Sequence, residues 1–365
     1  MIPKKSEKII RNLFKKHPII MTRKITLLSL DGGGIRGIIS CIILKYIEEQ
    51  LQQHDQPEAK LGDYFDLIAG TSTGGLITAL LLCPDEHQKA KFSVTEALQL
   101  YTEKGASIFD VSFWDKLLNP FGLFKEKIDD TPLEQELARV FGSLELRHLI
   151  KPCLITAYDI SARKATFFTS HNAQNPIRNF RVTDVCRATA AAPSYFEPAQ
   201  VVSLSGEQFT LIDGGVYANN PALCAYAEAR KIPFSKVLNH PDKPDYPTAN
   251  DMIVVSVGTG TVLKSYAFDD FKNAGKVEWI TPLIDILLSS NVETVNYQMQ
   301  KMYESLGNEN TQHYFRLMPE LLKASSEMDD TSPENIQNLI QDGLTFVRKN
   351  QAQLDRIVQK LLDNR

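Results

Sequence analysis

A serine with a glycine two residues away on each side, Gly70-Thr71-Ser72-Thr73-Gly74, has the spacing of a reactive centre. An apolar run, Phe65 to Ala69, leads into it, and a helical run, Leu76 to Leu82, leads out. The pattern G-x-S-x-G between a strand and a helix is that of a nucleophile elbow. A serine on so sharp a turn needs a strained backbone, and Gly70 and Gly74 let chain and helix pass closely. The following helix aims its free N–H groups and the positive end of its dipole at the serine oxygen. A serine presented this way performs acyl transfer through a covalent intermediate.

Acyl transfer builds negative charge on a carbonyl oxygen, so donors must stand nearby. Asp31-Gly32-Gly33-Gly34-Ile35-Arg36-Gly37 is the candidate source. Consecutive glycines turn their N–H groups inward without Cβ clashes, which makes Gly32, Gly33 and Gly34 an expected oxyanion hole. Arg36 adds a fixed positive charge, suited to orienting the loop or attracting a phosphate head group. The same loop also satisfies G-x-G-x-x-G after a strand and before a helix, which raises a dinucleotide site as the rival. The rest of that unit is missing: a ribose-binding acid belongs about 20 residues on. Helix and then the polar loop Gln52 to Lys60 occupy that region.

The serine also needs a base. The seven histidines, His17, His54, His87, His148, His171, His240 and His313, all lie in polar or loop-like contexts. Asp213 is the stronger candidate, because it ends an apolar strand and is followed by Gly214-Gly215, which leaves room for another chain to approach. A free aspartate, with a pKa of about 3.9, is a poor base for a hydroxyl. Desolvation in a closed site would raise that value toward neutrality. The plain alternative is a simple turn, and the company of an elbow and a glycine loop favours a Ser72–Asp213 dyad.

The elements that must position these residues alternate between strand and helix. Ile25 to Leu30 reads as a buried strand ending at the glycine loop. Ile35, Ile38, Ile39, Ile42, Ile43, Ile47 and Leu51 then recur at helical spacing. Further strands are expected at Pro152 to Tyr158, Phe167-Phe168, Phe209 to Ile212, Met252 to Val257 and Tyr314 to Leu317. Helices are expected over Val182 to Ala192, Pro221 to Arg230 and Pro282 to Leu306. Ser332-Pro333 should cap one long final helix. Residues 231–251, with four prolines, read as a long surface loop. The class is therefore α/β with a mainly parallel central sheet flanked by helices.

One domain is expected: a basic arm over 1–23, a catalytic unit over 24–320 and a C-terminal helix over 321–365 packed on it. Residues 92–150 form a helical excursion holding the aromatics Phe109, Phe113, Trp114, Phe121 and Phe124. It reads either as a cap with its own apolar core or as an aromatic lid over a lipid cleft.

The composition is that of a soluble globular chain, 43% hydrophobic and 23% charged. The net charge of −4 argues against a nucleic-acid polymer as the main partner. Residues 1–24 carry eight basic residues and one Glu, so the rest is acidic. That arm reads as frayed or, with Ile9, Ile10, Leu13 and Phe14 on one face, as a membrane-surface helix. Basic residues interrupt every apolar cluster in it, unlike a secretory signal. Five scattered cysteines without a CxxC pair suit a reducing compartment.

Together the three motifs, Asp31-Gly-Gly-Gly-Ile-Arg-Gly37, Gly70-Thr-Ser-Thr-Gly74 and Asp213-Gly-Gly215, resemble the patatin-like phospholipase family. Asp63-Tyr-Phe-Asp-Leu-Ile-Ala-Gly70, Ala191-Ala-Pro193, Ala218-Asn-Asn-Pro221 and Val257-Gly-Thr-Gly260 extend the resemblance over roughly residues 24–260. The resemblance implies a three-layer fold and a lipid acyl hydrolase that uses a Ser–Asp dyad with no metal and no cofactor. It makes Ser72 the nucleophile, Asp213 the base and Gly32, Gly33 and Gly34 the oxyanion hole. Arg36, Gly70, Gly74, Gly214 and Gly215 are the supporting residues. The implied substrate is phospholipid at a membrane surface. Plant storage patatins enter the secretory route, whereas the signal-free start seen here suits a cytoplasmic member with peripheral membrane association. The same chemistry admits a cyclic-nucleotide-activated membrane-degrading effector of antiviral defence, a general esterase or serine peptidase, and a non-catalytic lipid-binding or storage protein.

Overall fold

The computed structural model describes residues 23–109, 131–193, 195–261, 266–272, 274–307 and 311–365. Eight strands form one sheet: β1 Ile25–Leu30, β2 Leu67–Gly70, β3 Cys153–Asp159, β4 Lys164–Phe168, β5 Ala199–Val202, β6 Gln208–Asp213, β7 Met252–Val257 and β8 Tyr314–Leu317. The order is β5-β6-β3-β2-β1-β7-β8, with β4 also on β3. β3, β2, β1, β7 and β8 run parallel, and β4, β5 and β6 run antiparallel to their neighbours. The longer helices are α1 Gly37–His54, α2 Thr73–Leu81, α3 Val94–Phe109, α4 Thr131–Phe141, α5 Val182–Thr189, α6 Ala222–Ala229, α7 Lys276–Glu304, α8 Pro333–Lys349 and α9 Gln351–Asp363.

The layers follow from the two-residue period of the central strands, whose side chains alternate between faces. Leu28, Leu30, Ile68, Cys153, Ile155, Val255 and Val257 point into one core, which α1 to α5, α8 and α9 close. Leu27, Leu67, Ala69, Leu154, Met252 and Val254 point into the other, beneath α6 and the C-terminal half of α7. This is the three-layer α/β arrangement expected of the sequence. Burying both faces explains why these strands are apolar at nearly every position.

Two expectations are corrected. The C-terminal stretch is two helices, α8 and α9, broken at Asn350, whose side chain donates to the Phe346 carbonyl at 2.9 Å and competes with helical bonding there. Its start is as expected, with the Ser332 hydroxyl accepting from Asn335 N at 3.2 Å and Pro333 in the first turn. Both helices pack on α1, and a Cβ at Gly343 would sit 3.0 Å from that of Ile42. Strand β5, preceded by Pro198 and only four residues long, has no counterpart among the expected strands.

Within residues 92–150, α3 and α4 bury Val94, Ala97, Tyr101, Leu133, Leu137 and Phe141 in the first core. The side chains of Phe109, Phe113, Trp114, Phe121 and Phe124, and the whole of 1–22, lie outside the described residues. Cys41, Cys83, Cys153 and Cys186 are buried free thiols, and Cys224 is partly buried. No helix among the described residues is long and apolar enough to cross a membrane.

Candidate active site

Strand β3 brings the two key residues together. On one edge it carries β4 from Ile155 to Asp159, with Ile155 opposite Phe168 and Ala157 opposite Thr166. On its other edge Ile155 pairs with Gly70, the last residue of β2, and Ala157 pairs with Asp213, the last residue of β6. Strands β2 and β6 thus meet end to end along one edge. The elbow after Gly70 and the carboxylate of Asp213 are forced into the same space.

Ser72 sits on the turn with φ 55° and ψ −125°, a conformation that costs a non-glycine residue about 1–3 kcal/mol. Helix α2 starts at the next residue. The surroundings hold the turn. Ser72 N donates to Thr189 Oγ1 at 2.9 Å, and that hydroxyl donates to the Thr156 carbonyl at 2.7 Å. Thr71 Oγ1 contacts Thr156 Oγ1 at 2.7 Å and donates to the Ala218 carbonyl at 2.6 Å. Any Cβ at Gly70 would collide with the Gly74 backbone, and any at Gly74 with the Leu30 backbone. This is the close passage the elbow spacing suggested.

Asp213 is buried, and burial pushes its carboxyl up from 3.8 to about 7, against the hydrogen bonds from Ser72 and from Gly215 N, the latter 2.7 Å long. Those bonds favour the charged form, and desolvation outweighs them. A Cβ at Gly214 would overlap Thr156, so the Asp-Gly-Gly run lets the β6 turn lie on β3. Neither residue is at the surface of an open turn.

The glycine loop lies against the elbow: a Cβ on Gly32 would fall 3.2 Å from the Ser72 Cβ. Gly32 is corrected as an oxyanion donor. Its N–H donates to the Asn219 carbonyl at 3.1 Å. Among the described residues no protein acceptor takes the N–H of Gly33 or Gly34, and both line the cleft. Arg36 Nε reaches back to the Gly33 carbonyl at 3.3 Å, so it braces the loop. Two residues not singled out from sequence complete the frame. Arg316 of β8 forms a two-pronged ion pair with the buried Asp31, at 3.0 and 2.5 Å, and donates to Ser256 Oγ at 2.7 Å. Asn219 lines the cleft beside Gly215 and ties the loop through its carbonyl. The only signal for Asn219 was its place in Ala218-Asn-Asn-Pro221, and Arg316 gave none.

The cleft measures about 860 Å³ including its open mouth. Ser72, Asp213, Gly33 and Gly34 lie at its polar end, and Leu76, Phe196, Ile284, Leu287 and Leu288 make the apolar walls. No described histidine lines it. His171 instead pairs with Glu228 at 3.0 Å, and burial pushes His313 down to about 4.

The family model for patatin-like phospholipases matches residues 28–226, a span that contains the glycine loop, the elbow and Asp213. Patatin-like protein 2 of rice is 33% identical over 354 residues, covering 91% of this chain and 86% of that one. Patatin-like protein 4 of Arabidopsis thaliana is 34% identical, covering 86% and 81%. Patatin-04/09 of Solanum tuberosum is 32% identical, covering 89% and 84%. With the matched span exceeding half its length and such relatives along most of it, this chain belongs to the patatin-like phospholipase family.

Proposed function

We propose that this protein is a phospholipase A-type serine hydrolase that cleaves fatty acyl esters of membrane phospholipids through Ser72 and Asp213. Family membership supports lipid acyl hydrolysis in general. The observation that carries the finer reading is the strained Ser72 beside a buried carboxylate raised to about 7, at the polar end of an apolar cleft. A base of that strength matches neutral pH.

In the reaction Asp213 takes the hydroxyl proton as Ser72 Oγ attacks the ester carbonyl carbon. The oxyanion that forms faces the N–H groups of Gly33 and Gly34. As the C–O bond breaks, Asp213 returns the proton to the departing lysophospholipid alcohol. Water then gives a proton to Asp213 and attacks the acyl-enzyme carbonyl; as the acyl–Oγ bond breaks, Asp213 returns that proton to Ser72 Oγ and the fatty acid is released. The apolar walls hold the acyl chain and exclude bulk water, which strengthens every polar contact at the reacting carbonyl.

The test is fatty-acid release from phosphatidylcholine vesicles, and hydrolysis of a short soluble ester, in the presence of a chelator. Ser72→Ala and Asp213→Ala should each lose nearly all activity on both substrates. Wild-type cleavage of the soluble ester alone would retain the dyad and overturn the phospholipid assignment. Full activity in either variant would overturn the dyad.

A further inference from the structure

Helix α7 is apolar along both halves, but among the described residues only its C-terminal half is buried in a core. Val292, Val295, Met299 and Tyr303 are buried in the second core. Toward the N-terminus, Trp279, Leu283, Ile286 and Leu287 recur at i, i+4, i+7 and i+8, one face of the helix. All are exposed, Leu283 by 49% and Leu287 by 47%. The short helix 268–271 extends the same surface. Phe271 packs on Trp279 with ring centroids 4.7 Å apart, and Phe268 is 80% exposed. Isolated exposed leucines are ordinary, but a contiguous set of large apolar side chains marks an interaction surface.

This surface is continuous with the cleft. Leu287 belongs to both, and its neighbours Ile284 and Leu288 line the interior leading to Ser72. We propose that the outer face of α7, with Phe268, is where the protein seats on a lipid bilayer carrying no net charge, placing the cleft's mouth on the lipid. The proposal rests on the phospholipase reading above. A substrate anchored by acyl chains must pass from its aggregate into the cleft, and the apolar face adjoining the mouth is the surface it would meet. A second copy seated there would close the entry instead. The charge at the mouth sets the lipid class. Three acids, Asp285, Glu327 and Asp329, lie within electrostatic reach of Tyr195 in the cleft wall, against one cation, Arg36. That acidic excess repels an anionic surface and leaves burial of apolar side chains as the source of affinity.

The probe is a vesicle of phosphatidylcholine, with a second preparation in which phosphatidylglycerol replaces part of it. In a Trp114→Phe background, Trp279 is the sole tryptophan and its emission should shift to the blue on phosphatidylcholine vesicles. The pair Leu283→Ser and Ile286→Ser, which lies outside the cleft lining, should weaken vesicle association by about tenfold or more. Hydrolysis of a short soluble ester should stay at the wild-type rate, which also shows that the variant folds. Adding phosphatidylglycerol should not tighten binding, and added salt should not release it. The proposal is overturned by unaltered vesicle binding in the double variant, by no Trp279 shift, by salt-sensitive preference for the anionic vesicle, or by a dimer that the double variant dissolves. Loss of the phospholipase reading is distinct: wild type would then bind phosphatidylcholine vesicles without releasing fatty acid from them.

Discussion

Replacing Asp213 with asparagine should make the protein more stable and inactive at the same time. In the folded chain the Asp213 carboxyl titrates near 7 instead of 3.8, because burial penalises its charged form. Between those values the folded protein binds the proton more tightly than the unfolded chain does, so stability falls as the pH rises through this window. A shift of roughly three units at 1.36 kcal/mol each makes the ionised carboxylate cost up to about 4 kcal/mol above pH 7. The amide of an Asp213→Asn variant would keep an oxygen to accept from Gly215 N, which Asp213 does at 2.7 Å, and would not need to be desolvated as an anion. Thermal unfolding of wild type and Asp213→Asn should therefore differ most near pH 8, with the variant melting higher, and converge near pH 4, where both side chains are neutral. Wild-type kcat/KM on a soluble ester should fall about tenfold per unit as pH drops below 7, as one proton fills the base. A variant that melts lower than wild type near pH 8, or a gain that persists unchanged near pH 4, would refute the buried, destabilising carboxylate.

The remaining expectations concern the frame. Ser72→Gly should raise stability by about 1–2 kcal/mol by removing a strained φ, whereas Ser72→Ala should not, although both abolish hydrolysis; denaturant unfolding separates them. Gly34, at φ 58°, tolerates no side chain where the Met328 backbone passes, so Gly34→Ala should cut kcat by about a hundredfold with KM for a soluble ester little changed. Arg316→Ala leaves Asp31 buried without its ion pair and should cost about 3–5 kcal/mol in a chemical denaturation curve. Thr189→Val strips the acceptor from Ser72 N, and should lower stability by about 1–3 kcal/mol and reduce kcat in the same soluble-ester assay.

Residue order was enough wherever a feature depends on neighbours within a few residues. The elbow was legible because its glycines are required by backbone passing backbone within one turn, as Gly70 and Gly74 do. The apolar faces of β1, β7 and α1 were legible because side-chain period is a local property of strand and helix. Ser332 announced its helix because a cap bonds only three residues ahead. The rest required the folded chain. That Ser72 and Asp213 meet follows from β2 and β6 sharing one edge of β3, a pairing between segments far apart in the chain. That Gly32 is occupied while Gly33 and Gly34 are not depends on Asn219 arriving from beyond β6. Arg316 carried no local pattern, and its partnership with Asp31 exists because β8 joins the sheet beyond β7, bringing it to the end of β1. The break at Asn350 was hidden because the apolar period continues across it from α8 into α9. Residue types and spacing specify the reactive groups, whereas strand order specifies which of them share a site, because hydrogen-bonded registers bring distant segments within a few ångströms.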